Sequence, residues 1–382
     1  MKKIVTIIGA RPQIIKSSAI SRAVQSDFKE VLEEVIVHTG QHYDENMSKV
    51  FFDEMSIPTP NYNLQVGSGS HGVQTAKMIE GLEKIFLDEK PDGVVVYGDT
   101  NSTIAGALAA AKIHIPVIHI EAGLRSFNKA MPEEINRIAC DHMSSLLFTP
   151  TKTGIDNLAN EGFSLELAPK ATIDSPNVYH CGDIMYDNSL HFSKVANDFQ
   201  TVMEKESLVK DGFVLMTVHR DSNTDIAENM EAIFTSVNKL SKKYEIEFVL
   251  PLHPRTKSKL KTQLSDVAYT EVINNPLIKI IDPVGFMDII ALEQNAGMLV
   301  TDSGGLQKES FFFKKPCVIL REQTEWIEIV NNGNAILTGA DPDKIIEAFD
   351  SLYEYNNFTY PEYYGDGNAA KFICQKIVDE IV

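Results

Sequence analysis

A chain of 382 residues, 43% hydrophobic and 23% charged, has the makeup of a globular protein of two or three domains at roughly 150 residues each. Its 35 Lys and Arg stand against 53 Asp and Glu, a formal charge of −18, which argues against wrapping nucleic acid or lying on an anionic membrane. No apolar run approaches a membrane span, the N-terminal start lacks a signal-peptide cleavage site, and Cys140, Cys181, Cys317 and Cys374 lack metal-ligand or disulfide spacing. A cytoplasmic protein with no metal site is expected.

Short runs rich in Val and Ile predict strands over 3–8, 34–38, 93–97, 117–120 and 145–148. Between them, apolar residues at three- and four-residue intervals predict helices over 14–25, 73–88 and 102–112. Apolar strands separated by helices imply a parallel sheet covered on both faces. The pattern loosens over 172–188, where Pro176, Asn177 and Gly182 mark a crossing. It restarts with strands over 213–217, 247–252, 278–281, 297–301 and 316–319 and a helix over 229–242. The expected fold class is therefore α/β, with two doubly wound parallel-sheet domains facing a cleft. Their expected limits are 1–180 and 181–367, followed by a helix over 368–382 that is a candidate to cross back onto the first domain.

Ligands of such sheets bind beyond the carboxyl ends of the strands, so the polar residues there are the site candidates. Arg11 follows the first strand at a helix N-terminus, a natural anion site, with a surface ion pair as the alternative. Asp99 ends the strand over 93–97 and either caps the next helix or works in the cleft. Glu121 follows the strand over 117–120, and Glu133 opens the helix after it. Crowded carboxylates raise one another's pKa, so one can hold a proton while another is ionised, which suits general acid/base work. In the second half, His219-Arg220 and His253-Pro254-Arg255 end strands, where imidazole and guanidinium would neutralise phosphate. The run Ser303-Gly304-Gly305 lets backbone N–H groups approach phosphate oxygens closely, and Glu309 lies about one turn on, within reach of a sugar diol. Gly67, Gly69 and Gly72 fit GxGxxG literally, but they follow a weak strand candidate over 62–66; a loop before a helix is expected, not a dinucleotide turn.

Taken in order, GARPQIIK, HTGQHYDENM, YGDTNST, HIEAGLRS, MPEEINR, the pair at 219–220, DPVGF, TDSGGLQKES and YGDG resemble the non-hydrolysing UDP-N-acetylglucosamine 2-epimerases over residues 6–367. The resemblance implies a GT-B-like pair of Rossmann-type domains, a UDP-sugar substrate and a homodimer. It implies removal of the C2 proton with anti departure of UDP, a bound 2-acetamidoglucal, and return of UDP with reprotonation from the other face. No nicotinamide is needed, because the hydrogen leaves as a proton. Carried over by motif, Asp99, Glu121 and Glu133 are the acid/base groups and His219 assists departure of UDP. Arg11, His253, Ser303, Gly304 and Gly305 hold the diphosphate, Glu309 the ribose, and Phe286 or its backbone the uracil. Departures from the pattern, among them Gln13 in place of the usual Glu, resemble the branch acting on UDP-2,3-diacetamido-2,3-dideoxyglucuronic acid. In that branch Arg255, Lys257 or Arg321 would meet the uronate. Gln41-His42 match an activator site of bacterial relatives, whereas Asp44 and Lys77 do not. A GT-B glycosyltransferase, a hydrolysing epimerase and a non-catalytic nucleotide-sugar sensor are the rival readings.

Overall fold

The computed structural model describes residues 1–40, 57–196 and 201–381, and it divides into two compact units, 1–190 with 362–382, and 191–361. In the first unit β1 (Lys2–Ile8), β2 (Leu32–His38), β3 (Tyr62–Asn63), β4 (Gly93–Tyr97), β5 (Val117–Ile120), β6 (Leu146–Thr149) and β7 (Asn177–His180) form one parallel sheet in the order β3-β2-β1-β4-β5-β6-β7. In the second, β8 (Phe213–Thr217), β9 (Glu247–Pro251), β10 (Ile278–Ile281), β11 (Met298–Thr301), β12 (Cys317–Ile319) and β13 (Ala335–Leu337) run parallel in the order β10-β9-β8-β11-β12-β13. The chain winds outward from β1 and again from β8, then returns to the opposite side. The loops after β1 and β4, and after β8 and β11, therefore part at a switch point in each sheet.

Strands buried on both faces explain the apolar runs. Val94, Val95 and Val96 have no exposed surface, and neither do Val214, Leu215 and Met216. The helix Ala227–Tyr244 buries Met230, Ile233, Phe234, Val237 and Leu240, a stripe at helical spacing. That stripe packs in one core with Phe248 and Phe349, whose rings stack at 5.6 Å. Burying each of these large side chains contributes roughly 1.5–3 kcal/mol.

Two expectations about the elements are corrected. The segment 172–188 does not merely loosen: Asn177–His180 forms the edge strand β7. Its apolar signal is masked because Asn177 is buried and its amide is hydrogen-bonded to Ala168 N, Ala168 O and Glu380. The strand over 62–66 shrinks to Tyr62–Asn63, and β13 was too short to register as a run. The two compact units part after 190 and before 362.

The helix Ala369–Glu380 packs on the helix Arg11–Ser26, and the Lys2 ammonium donates to Val378 O at 2.7 Å. The N-terminus of that final helix is held by Asp187, which accepts from Ala369 N at 3.1 Å and Ala370 N at 2.8 Å. Burial raises the Asp187 carboxyl to about 6 from 3.8, despite those two N–H groups and the nearby Arg22. The folded state thus binds this proton more tightly than the unfolded chain. Its stabilising effect is full below about pH 4 and is lost as pH rises through about 6, on the order of 2–3 kcal/mol in all. Asp187→Asn, which keeps an acceptor and removes the charge, should gain in melting temperature relative to the parent between pH 4 and pH 7. A difference independent of pH would contradict this.

Candidate active site

In the first unit the switch point carries Arg11 and Asp99, with Glu121 at the end of the next strand. Arg11 opens its helix and is exposed. Beneath it Gln13 ties β1 to β4: its amide oxygen accepts from Gly9 N at 2.9 Å and Ala10 N at 3.1 Å, and its nitrogen donates to Tyr97 O at 3.1 Å and Thr103 Oγ1 at 3.0 Å. Asp99 is not the cap of the helix Asn101–Lys112; Thr100 is, accepting from Thr103 N. Asp99 instead forms an ion pair with Arg137, while Glu121 pairs with Lys16. Glu121 has a φ of 72°, a conformation that costs about 1–3 kcal/mol for a residue with a side chain. The backbone there is held by Glu121 N and Ala122 N, both donating to Phe148 O at 3.0 Å. Gly98 also has a positive φ, and a Cβ on it would stand 3.1 Å from Glu121 Oε2 and 3.4 Å from Lys16 Nζ. Glycine is needed there to admit the ion pair.

Burial raises the Asp99 carboxyl above its ordinary value; Arg137 and Lys16 offset part of that, and the charge of Glu121 adds to it. Two carboxyl groups with separate cations therefore share one strand-end corner, one of them biased toward holding a proton. That is the arrangement general acid/base chemistry requires. Under it lies a buried network: His119 Nδ1 is 2.7 Å from Asp141 and its Nε2 2.8 Å from Gly98 O, and Arg125 binds Asp141 and Glu161 at 2.7 Å each.

Glu133 is exposed in the first turn of the helix Pro132–Asp141, and among the described residues no ion pair joins it to this group. Its neighbour Glu134 is buried, accepting from Ser126 N, Phe127 N and Arg137. The structure therefore brings Asp99 and Glu121 together with Lys16 and Arg137, and does not bring Glu133 to them by contact. Gln41, His42 and Asp44 lie outside the described residues; Lys77 is exposed on the helix His71–Glu89. That helix begins at His71, so Gly67 and Gly69 sit in the loop before it and Gly72 in its first turn.

In the second unit the switch point is built around Asp302, which has no exposed surface. Its carboxylate accepts from His219 N at 3.1 Å, Arg220 N at 3.0 Å and Asn223 Nδ2 at 3.1 Å, and lies 3.0 Å from His219 Nδ1. Burial opposes its charge, but the His219 contact and these N–H groups outweigh it and hold the carboxyl below its usual range. With Nδ1 on Asp302, the half-exposed His219 has Nε2 left for a ligand, the tautomer control a general acid or base needs. Ser303 caps the helix Gly304–Phe312. Neither Gly304 nor Gly305 has a positive φ, and a Cβ on Gly304 would meet nothing nearer than Arg321 Nη1 at 3.8 Å and Arg220 Nη2 at 3.9 Å. Folding does not demand glycine at either position. Open space at a helix N-terminus between two guanidinium groups suits a phosphate.

The remaining candidates are placed as follows. His253 caps its own helix by accepting from Arg255 N at 3.4 Å. The Phe286 ring is buried edge-on against Phe192 at 5.2 Å, which leaves its backbone for a base. Arg255 pairs with Asp221 and Asp225, Lys257 with Asp282 at 3.8 Å, and Arg321 with Glu325 at 3.0 Å. Lys16, Arg137 and Asp302 were not singled out from the sequence, although each lies within a motif quoted above.

Two doubly wound parallel-sheet units with these loops define a GT-B-like α/β protein. The family model described as UDP-N-acetylglucosamine 2-epimerase matches residues 25–378. The chain is 47% identical over 375 residues to a UDP-N-acetylglucosamine 2-epimerase homolog of Methanococcus maripaludis, covering 98% of each. It is 44% identical to the UDP-2,3-diacetamido-2,3-dideoxy-D-glucuronate 2-epimerase of Pseudomonas aeruginosa, again over 98% of each. The crystal structure of Methanocaldococcus jannaschii UDP-GlcNAc 2-epimerase, in complex with UDP-GlcNAc and UDP, superposes with a TM-score of 0.83 at 40% identity, covering 99% of this chain and 100% of that one. The chain belongs to the UDP-N-acetylglucosamine 2-epimerase family.

Proposed function

We propose that the protein interconverts UDP-GlcNAc and UDP-ManNAc without hydrolysis, supplying a precursor for surface polysaccharide. The observation that carries this reading is the pair of carboxyl groups, Asp99 with Arg137 and Glu121 with Lys16, at the ends of adjacent strands. One removes the proton from C2 while the C1–oxygen bond to UDP breaks on the opposite side, leaving a 2-acetamidoglucal and UDP. The other returns a proton to C2 from the other face as UDP re-forms the C1 bond. Two faces need two groups, and environments that push their pKa values apart supply them. His219, oriented by Asp302, and Arg220 stabilise the charge that grows on the departing diphosphate. Arg11, His253, Ser303, Gly304 and Gly305 bind that diphosphate, Glu309 the ribose and the Phe286 backbone the uracil. Glu133 serves as a further acid/base group only if ligand brings it in. The same reading carries a cytoplasmic homodimer, which light scattering of the purified protein tests.

The 44% identity to the diacetamido-glucuronate epimerase supports a second reading, the same reaction on that uronate. Arg321, adjoining the Gly304 space, is its best-placed partner, and the uronate would displace Glu325. Chromatography of the protein with each sugar nucleotide separates the readings. UDP-ManNAc without free sugar supports the first, and turnover of the uronate alone supports the second. Free N-acetylmannosamine with UDP overturns both in favour of hydrolysis.

Gly304→Ala isolates the phosphate part of the proposal. The added Cβ meets only ordinary contacts within the protein, so the melting temperature should stay within about 2 °C, a surface-like change of under 0.5 kcal/mol. Calorimetric affinity for UDP should fall roughly tenfold or more, the equivalent of 1.4 kcal/mol. Unchanged affinity would move the diphosphate elsewhere.

A further inference from the structure

The strand β5 carries a charge where an apolar side chain would serve folding as well. His119 lies inside the run Val-Ile-His-Ile and has no exposed surface. Its two contacts fix its protons. Nε2 lies 2.8 Å from Gly98 O, and a carbonyl only accepts, so Nε2 carries a proton. Nδ1 lies 2.7 Å from Asp141 Oδ1. The other oxygen of that carboxylate is 2.7 Å from the Arg125 guanidinium and accepts from Gly123 N at 3.2 Å. These donors keep Asp141 ionised, so Nδ1 donates to it and the ring is an imidazolium. Burial opposes that charge, but Cys140 and Asp141 outweigh it and hold the proton well above the ordinary range. A buried ion pair gains little stability over apolar residues of the same volume, so folding alone gives no reason for this one. Its position gives a reason. The imidazolium faces the end of β4, where Gly98 leads the chain from Tyr97 into Asp99.

We propose that His119 is a positioning residue: with both ring nitrogens protonated, it is anchored on Asp141 through Nδ1–H and fixes the Gly98–Asp99 peptide through Nε2–H, which sets the spacing of Asp99 from Glu121. The inference rests on the reading that these two carboxyl groups exchange protons with C2. Glu121 follows β5 directly, whereas Asp99 hangs from the far side of a glycine whose φ is 62° and whose backbone is otherwise free to turn. Two bonds to β5 remove that freedom. Gly98 N donates to Ile120 O at 3.0 Å, and Gly98 O accepts from His119. The next carbonyl, Asp99 O, accepts from Asn136 Nδ2 at 2.9 Å. A ring with its single proton on Nδ1 would turn a lone pair on the Gly98 carbonyl, and a ring with its proton on Nε2 alone would lose its donation to Asp141. Only the doubly protonated form serves both acceptors.

The test follows C2 exchange in deuterated water, with UDP-GlcNAc and with the diacetamido-uronate nucleotide, on the full-length protein and two variants, and measures UDP affinity by calorimetry. His119→Asn puts an amide nitrogen near the place of Nδ1, so it still donates to Asp141 but stops short of Gly98 O. Its kcat for exchange should fall roughly 10–10²-fold, the effect of misplacing a reacting group by about 1 Å. KM and UDP affinity should stay within about twofold. His119→Gln puts the amide nitrogen near the place of Nε2, restores the donor to Gly98 O, and should recover exchange to within about fivefold of the parent. A damaged fold would lower affinity together with rate, and Gln would not repair it. If the Asn variant exchanges like the parent, or the Gln variant loses as much as Asn, the role of His119 is overturned while the acid/base reading stands. If the parent exchanges neither sugar, that reading fails and this inference falls with it. Should the Asn variant not fold, nitrogen NMR of the parent with isotope-labelled histidine decides. An imidazole still protonated on both nitrogens at about pH 8.5, well above the ordinary value of the ring, is expected. If every imidazole has lost a proton by that pH, the proposal is overturned.

Discussion

Replacing Glu121 with Gln should lower epimerisation and C2 proton exchange by roughly 10²–10⁴-fold, the contribution of a positioned acid or base. The expectation follows from how the residue is held. Its backbone is fixed in a costly conformation by two N–H groups on Phe148 O, and its carboxylate is paired with Lys16 over Gly98. Gln keeps the length and can still accept from Lys16, but it cannot take a proton at pH 7. Because the nucleotide is assigned to Arg11 and to residues of the second unit and not to Glu121, UDP affinity should remain within about twofold, under half a kcal/mol. Exchange that survives in Glu121→Gln would transfer the base role to Asp99. Loss of UDP affinity in parallel would show instead that the substitution disturbs binding.

The largest effect on stability should come from Asp141→Ala. Asp141 is wholly buried and serves three partners: His119 Nδ1 at 2.7 Å, Arg125 at 2.7 Å and Gly123 N at 3.2 Å. Burial opposes its charge, yet His119 and Arg125 hold the carboxyl below its ordinary range. Removing it leaves Glu161 as the one carboxylate on buried Arg125, beside the Leu124 carbonyl, and strands a buried imidazole nitrogen and an amide. Loss of one partner from a buried pair costs about 3–5 kcal/mol. At roughly 2–4 °C per kcal/mol for a unit of this size, the first transition in a thermal melt should fall by about 10 °C. Asp141→Asn, which keeps the volume and an acceptor, should lose less. If the Ala variant melted with the parent, His119 and Arg125 would have to find other partners, and the network would not be what anchors the loop after β5.

Much of this was legible in the sequence, and the reasons are specific. Strands such as β4 and β8 stand out because both faces are buried, so nearly every residue in them is apolar, Thr217 at the end of β8 excepted. The loops that carry Asp99, Glu121, His219 and Ser303 follow directly from where those runs stop. Pairing is a different matter. Nothing in GARPQIIK says that Lys16, on the second turn of its helix, meets Glu121, and nothing in TDSGG says that Asp302 anchors the backbone of His219. Those contacts come from sheet order, which local pattern does not encode. Glu133 and Glu134 show a signal passed over: Glu134, Arg137 and Asp141 are buried at helical spacing, which places Glu134 inward and Glu133 outward. The cations offered to a uronate looked available in the sequence because their carboxylate partners, Asp221, Asp225, Asp282 and Glu325, had no visible duty there.

Proton transfer at C2 is the centre of this account, and one measurement reaches it directly. Purified protein is held with UDP-GlcNAc in deuterated water and followed by proton NMR, with the diacetamido-uronate nucleotide in a parallel sample. The account predicts deuterium entering C2 as the manno epimer of UDP-GlcNAc appears, with no nicotinamide added. Exchange confined to the uronate would keep the mechanism and change the substrate. Epimer formed with the original hydrogen still on C2, or no exchange in either sample, would contradict it.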